Sequence, residues 1–76
     1  MLEVILLSPA SPIFEGTAER VIMPGEKGVF EIFSFHRPLV SRLLPGLVVV
    51  DDRPYPIRRG VVKVDRNRVT ALVEPT

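Results

Sequence analysis

The sequence contains no cysteine and no tryptophan, and it has a single histidine, His36. Without cysteine the chain forms no disulfide and no thiolate zinc site, which fits a reducing compartment. None of the apolar runs in the 76 residues approaches the ~20 residues that span a bilayer, and the start, Met1-Leu2-Glu3, lacks the basic residues of a signal peptide. We therefore expect one small domain that is soluble or reaches a membrane only through partners.

Neither sign of charge dominates the chain, since the net charge is only +1. The two parts of the chain differ, however: residues 1–35 carry five acidic and two basic side chains, a balance of −3, and residues 36–76 carry eight basic and four acidic ones, a balance of +4. Solvated surfaces of opposite sign explain this asymmetry. A basic patch for an acidic partner is the alternative interpretation.

Eight prolines restrict where helices can form, because a proline inside a helix costs about 3 kcal/mol. Short runs rich in valine, isoleucine and leucine lie between turn residues, which is typical of strands. The pattern predicts an all-β flattened sandwich or barrel of short strands, with no helical hairpin. The expected strands are residues 2–7, 13–14, 17–23, 29–33, 39–44, 47–50, 55–58 and two valine-rich runs within 57–74.

Turns are predicted where glycine, proline, asparagine or aspartate interrupts these runs. Pro54 and Pro56 are expected at a sheet edge because proline donates no ladder hydrogen bond. The continuous apolar run of residues 47–50 suggests burial on both faces of that strand. The expected turns are Glu15-Gly16, Pro24-Gly25 with a left-handed glycine, Pro45-Gly46, residues 51–54 and residues 65–68.

The sequence offers little for catalysis. Ser34 precedes His36 by two positions, but nucleophilic catalysis also needs an orienting acid, and none stands out. We therefore expect His36 to lie in a loop or an interface. A small hydrolase that depends on His36 remains an alternative.

Metal and nucleotide sites are equally poorly supported. One histidine and the acidic pair Asp51-Asp52 do not provide a ligand set for zinc, calcium or magnesium. The Gly-Lys-Ser/Thr end of a phosphate-binding loop is absent. We expect no catalytic residue, no cofactor and no metal.

Nucleic-acid binding is the main alternative, because small β-barrels can stack bases on aromatic side chains and track phosphates with arginine. The same phenylalanines could simply form the core, and a net charge of +1 gives a weak electrostatic signal. The candidate residues are Phe30, Phe33, Phe35, Tyr55, Arg37, Arg58, Arg59, Arg66 and Arg68.

A set of motifs at matching separations resembles the β domain of the epsilon subunit of F-type rotary ATP synthases. Residues 28–39, GVFEIFSFHRPL, align without a gap to the pattern Gly-x-Phe-Gly-Ile-Leu-Pro-Gly-His-Ala-Pro-Leu. The resemblance covers nearly the whole chain. Its other elements are Phe14-Glu15-Gly16, Met23-Pro24-Gly25, Leu44-Pro45-Gly46, the GVVKV run from Gly60 and the NRVT run from Asn67.

Four positions depart from this pattern. Glu31 stands where the family has glycine, Ser34 and Phe35 replace Pro-Gly, and Arg59 replaces the first of two glycines. Each lost glycine removes backbone freedom, so the loop before His36 is expected to differ in shape. The sequence also stops at Thr76, before the helical hairpin that many epsilon subunits carry, so no inhibitory arm is expected.

The resemblance implies a ten-stranded flattened β-sandwich and a non-catalytic role in the central stalk. Its implied partners are the gamma subunit and the c-ring, without nucleic acid. Membrane contact is implied only through the complex, at the cytoplasmic face of the inner (plasma) membrane. By position, the resemblance places the subunit interface at Val29, Glu31, His36, Arg37, Leu39, Ser41 and Arg42.

Overall fold

A computed structural model describes all 76 residues as strands and turns. The all-β prediction is confirmed, but the chain forms eight strands instead of ten. No helix is present that has the length and hydropathy needed to cross a membrane. The strands are β1 (Leu2–Leu7), β2 (Pro12–Ala18), β3 (Arg20–Gly25), β4 (Gly28–Phe33), β5 (Leu39–Leu43), β6 (Gly46–Val50), β7 (Arg53–Asp65) and β8 (Arg68–Pro75).

The eight strands form one curled sheet that folds over its own core. The path of hydrogen-bonded neighbours is β2-β1-β8-β7-β5-β3-β4, and β6 bridges β3 and β7. All pairings are antiparallel except that of β1 with β8, which is parallel. β6 and β5 lie one after the other along β7 and both pair with β3, so the curled sheet keeps two edges, β2 and β4, and has the flattened sandwich form that the sequence predicted.

The strand count is lower than expected because β7 is one continuous strand of 13 residues. Its first part pairs with β6, and the part from Gly60 onward lies between β5 and β8. Pro54 and Pro56 pair only with β6, so they do lie on a one-sided stretch of sheet, as the sequence predicted. A register shift between Ile57 and Arg59 redirects the strand without ending it.

Two of the predicted turns are wrong. Gly16 lies inside β2, where it pairs with Val4 of β1, so the chain does not reverse at Glu15-Gly16. Pro24 and Gly25 close β3, and the reversal is at the next two residues, Glu26 and Lys27. The glycine with positive φ is Gly28, at 116°, which begins β4.

The turns that contain aspartate or asparagine are confirmed. Arg66 and Asn67 form the two-residue β7–β8 turn with φ of 51° and 59°, values that asparagine tolerates and that suit the twist of a hairpin. In the β6–β7 turn, Asp51 has φ of 53° and its Oδ1 accepts hydrogen bonds from the backbone N of Glu19 and Arg20. This contact holds the bend between β2 and β3.

The core is entirely apolar and contains no buried polar or charged residue. Burial alternates along most strands, so one face of each strand packs inward. The run of residues 47–50 was expected to be buried on both faces, and this is wrong: Val48 and Val50 are buried, whereas Leu47 is half exposed. The core residues are Leu2, Val4, Leu6, Ala18, Val21, Met23, Ile32, Leu43, Val48, Val50, Ile57, Val62, Val64, Val69, Ala71 and Val73.

Candidate functional site: the groove between two unpaired strand edges

A groove lies between β4 and β5, which do not pair with each other, and we call it the β4–β5 groove. β4 pairs only with β3, and β5 pairs with β7 but meets β3 at only one residue pair, Gly25 with Leu43. The gap measures about 490 Å³ and is lined by the β3–β4 hairpin, His36 and β5. A connection of five residues, Ser34 to Pro38, links the two strands around one end of the groove.

The backbone of β4 presents unused hydrogen-bonding groups along this gap. The carbonyl oxygens of Arg20 and Pro24 accept hydrogen bonds from Asp51 N and Leu44 N, so these β3 residues point their backbone groups away from β4. In an antiparallel pair, the residues opposite them must also point away. The residues opposite are Phe33 and Val29, and by alternation Glu31 shares their direction. Val29 and Glu31 therefore offer backbone groups at a free edge.

The edge of β5 away from β7 has the same property. Leu44 N donates to Pro24 O, on the side away from β7. Alternation then points the backbone groups of Val40 and Arg42 away from β7 as well. Val29 is 73% exposed and Val40 is 76% exposed. Two free strand edges, each with an exposed valine, thus border the β4–β5 groove.

The predicted interface residues fall in two groups. Four of them line the β4–β5 groove: Val29, His36, Leu39 and Ser41. The three charged residues lie outside its lining, with Glu31 on β4, Arg37 in the connection and Arg42 on β5. The structure therefore places part of the predicted segment at one groove. Four of its residues line the groove, and its three charged residues do not.

Ion pairs account for two of these three charges. Arg42 Nη2 lies 2.9 Å from Glu26 Oε2, and Arg20 Nη1 lies 3.8 Å from Glu31 Oε2. All four side chains are largely exposed, so each pair contributes about 0–1 kcal/mol to stability. Arg37 forms no ion pair. It is the one charged residue of this group without an ion pair.

The sequence reasoning did not include Val40 and Glu26 in the interface. Val40 lies between two predicted residues, but alternation alone did not show that β5 would have an unpaired edge. Glu26 was assigned to a turn, and its contact with Arg42 spans 16 residues of sequence.

The surroundings of His36 do not resemble a catalytic arrangement. Its Nδ1 lies 2.6 Å from the backbone carbonyl oxygen of Arg37. Because a carbonyl only accepts, Nδ1 carries the proton and donates it there. Ser34 forms no hydrogen bond with His36, and no group of three or more histidine, aspartate or glutamate side chains comes together. His36 lies in the loop, as the sequence predicted.

Several of the residues suggested for nucleic-acid binding are engaged within the fold. Phe30 packs against the core, and Tyr55 packs against Phe14 with ring centroids 6.2 Å apart. Arg59 is paired with Glu74 at 2.7 Å. Only Phe33 and Phe35 keep exposed rings. The row of stacking aromatics that this alternative needs is absent.

The sequence and the fold of this chain are similar to those of known proteins. The sequence model of the family described as ATP synthase, Delta/Epsilon chain, beta-sandwich domain, matches residues 1–75. The chain belongs to this family. Among curated proteins, it is 33% identical over 75 residues to ATP synthase epsilon chain 2 of Burkholderia orbicola, with 91% of this chain and 49% of that protein covered.

Two further relatives of the family extend this comparison. The ATP synthase epsilon chain of Nitratiruptor sp. is 35% identical over 78 residues, covering 96% of this chain and 60% of that protein. The epsilon chain of Rickettsia typhi is 31% identical over 80 residues, covering 96% and 73%. The chain thus spans roughly half to three quarters of the length of these relatives.

Two solved structures contain chains with the same fold. A chain from the central stalk and c-ring structure of the Tetrahymena thermophila mitochondrial ATP synthase superposes with a TM-score of 0.79 at 20% identity, covering 96% of this chain and 63% of that chain. A chain of the Euglena gracilis mitochondrial ATP synthase gives 0.86 at 18% identity, covering 95% and 49%. The flattened sandwich is therefore the architecture common to these chains.

Proposed function

We propose that this β-sandwich is a non-catalytic part of the central stalk of an F-type ATP synthase, where it couples the gamma shaft to the c-ring during ion-driven ATP synthesis. The family match over residues 1–75 carries this proposal. The names of the curated relatives, which are epsilon chains, support it. The role assigned to these 76 residues is coupling, and membrane contact at the cytoplasmic face is made through the complex.

The β4–β5 groove is the surface that we assign to the gamma subunit. Its free edges offer backbone donors and acceptors, and an extended segment of a partner can pair with such an edge. The exposed Val29 and Val40 supply apolar area beside these groups, and Glu31, Arg37 and Arg42 supply charge around it. An apolar centre with a polar rim is the usual composition of a protein–protein interface.

Reversing the charge of Arg37 tests this assignment. Arg37 is exposed and unpaired, so Arg37→Glu disturbs no contact within the fold. We expect it to weaken binding of the gamma subunit about tenfold while leaving thermal stability unchanged, because a charge at the rim of an interface acts mainly on association. Binding is measured by titration of immobilised gamma subunit at low and at physiological salt.

The matched control is Arg58→Glu. Arg58 is also exposed and unpaired, but it lies in β7 and not in the connection of residues 34–38 that links the two strands of the groove. The same charge change there should alter the affinity by less than about twofold. Equal losses in the two variants would mean that net charge and not this groove controls binding. Failure of the unmodified chain to bind the gamma subunit would refute the proposed function itself.

A further inference from the structure

The connection between β4 and β5 contains a phenylalanine in a backbone conformation that phenylalanine avoids. Phe35 has φ of 66°. It is the third residue of a turn closed by a hydrogen bond from His36 N to Phe33 O at 3.2 Å. This position in a turn of type II usually takes glycine, since a Cβ is crowded in the left-handed region. The loop thus keeps a left-handed residue although its glycine is absent.

Contacts from another part of the fold hold this residue in place. Phe35 N donates to Asn67 Oδ1 at 2.5 Å, across 32 residues of sequence. Asn67 itself sits in the tight β7–β8 turn, and its backbone oxygen accepts from Glu3 N at 2.8 Å. Strained backbone persists only where the surrounding structure fixes it, and such residues concentrate at functional sites.

The ring of Phe35 does not explain the strain through packing. The residue is 89% exposed, the highest value among the large apolar residues that reach solvent. It therefore adds little to the core. Phe35 therefore combines a backbone conformation that costs free energy with a side chain that adds no stability to the domain.

The charged residues near Phe35 indicate which kind of partner surface its ring can contact. Arg37 follows it by two residues, and Arg66 precedes the Asn67 that holds its backbone. Neither arginine forms an ion pair, whereas Arg68 in the same turn is occupied by Glu3 at 3.6 Å. Asp65 is the one unpaired acid of that turn. Phe35 is thus two residues from one unpaired arginine, and its backbone is bonded to the residue that follows another. Aromatic residues and arginine are both enriched at protein–protein interfaces.

We propose that Phe35 is the anchor of the gamma-subunit interface and inserts into an apolar slot of that partner whose rim carries carboxylates for Arg37 and Arg66. The inference rests on the proposed function, because it names the residue on which that same interface depends. The Asn67 side chain acts as a positioning group, since it fixes the turn that presents the ring.

Substitutions at position 35 separate the effect of the aromatic ring on binding from the effect of the strained backbone. Phe35→Ala removes the ring but keeps a Cβ in the left-handed region, and Phe35→Gly removes both. We expect both variants to bind the gamma subunit at least about 30-fold more weakly, the loss typical of a hot-spot residue. Phe35→Trp should retain binding. Leu47→Ala, at a half-exposed leucine of β6, is the control and should change the affinity by less than about twofold.

Thermal melting supplies a readout that does not depend on a partner. Glycine normally lowers stability relative to alanine, but here Phe35→Gly should melt about 4 °C above Phe35→Ala, because it relieves the left-handed strain. Equal affinity of the unmodified chain and Phe35→Ala for the gamma subunit would overturn the inference and leave the proposed function standing. Loss of affinity for anionic vesicles or single-stranded DNA alone, with gamma binding intact, would also overturn it.

Discussion

Alanine at position 60 should destabilise the domain by about 3 kcal/mol, near the upper end of the range for overpacked positions. Gly60 lies in β7 between β5 and β8, opposite Val73 and Leu43. A Cβ there would come within 2.6 Å of the Leu72 carbonyl oxygen and 3.0 Å of the Val73 Cα. These atoms belong to the backbone of the neighbouring strand and cannot rotate away, so the β7–β8 ladder itself would have to move.

Urea denaturation followed by circular dichroism measures this effect. A domain of this size has about 3–5 kcal/mol of stability from its core, so Gly60→Ala should retain only about 0–2 kcal/mol and should begin to unfold at the lowest urea concentrations. Gly16→Ala is the control: there the nearest atom is Cζ of the Phe14 side chain at 3.1 Å, which can turn aside. A Gly60→Ala midpoint similar to that of Gly16→Ala would contradict the close approach described for β7 and β8.

Replacing Ile32 with alanine should cost about 2–5 kcal/mol and should free β4 from the sandwich. Ile32 is the only fully buried residue of this strand. Because β4 pairs only with β3, the core contact of Ile32 holds the strand that carries Val29 and Glu31. Loss of this contact leaves a cavity and an edge strand held by its hydrogen bonds to β3 and by the partly buried Phe30.

Hydrogen exchange combined with urea denaturation follows both consequences of this change. In Ile32→Ala, the amides of β4 that point towards β3, those of Phe30 and Ile32, should lose protection first, since regions with few buried contacts open locally. Val29→Ala, on the exposed face of the same strand, should change the free energy of unfolding by less than about 0.5 kcal/mol. Equal losses for the two variants would show that Ile32 is not what anchors β4.

The sequence was sufficient for the fold class because its signals are local. Alternating apolar residues and frequent prolines exclude long helices and predict strands, and the Asp65–Arg68 turn follows from asparagine and the two-residue hairpin. The number of strands was harder to predict from the sequence. β7 continues through Arg59-Gly60 because Gly60 allows the backbone of β8 to approach closely, and this contact is made across about a dozen residues.

The candidate site was predictable only in part. The resemblance located the segment of residues 29–42, and four of its residues do line one groove. It could not show that two strand edges would remain unpaired there, since edges depend on which distant strands pair. The conformation of Phe35 was equally hidden, because the lost glycine suggested a changed loop. The structure instead keeps the left-handed residue through the side chain of Asn67.

The parallel pairing of β1 with β8 has a mechanical consequence. Five residue pairs, from Glu3 with Arg68 to Leu7 with Leu72, join these two strands side by side. A load that slides one strand along the other would strain all of these hydrogen bonds at once, whereas a load that peels a hairpin apart breaks them one after another. The β1–β8 pair should therefore resist a load that slides its strands along each other better than a load that peels them apart.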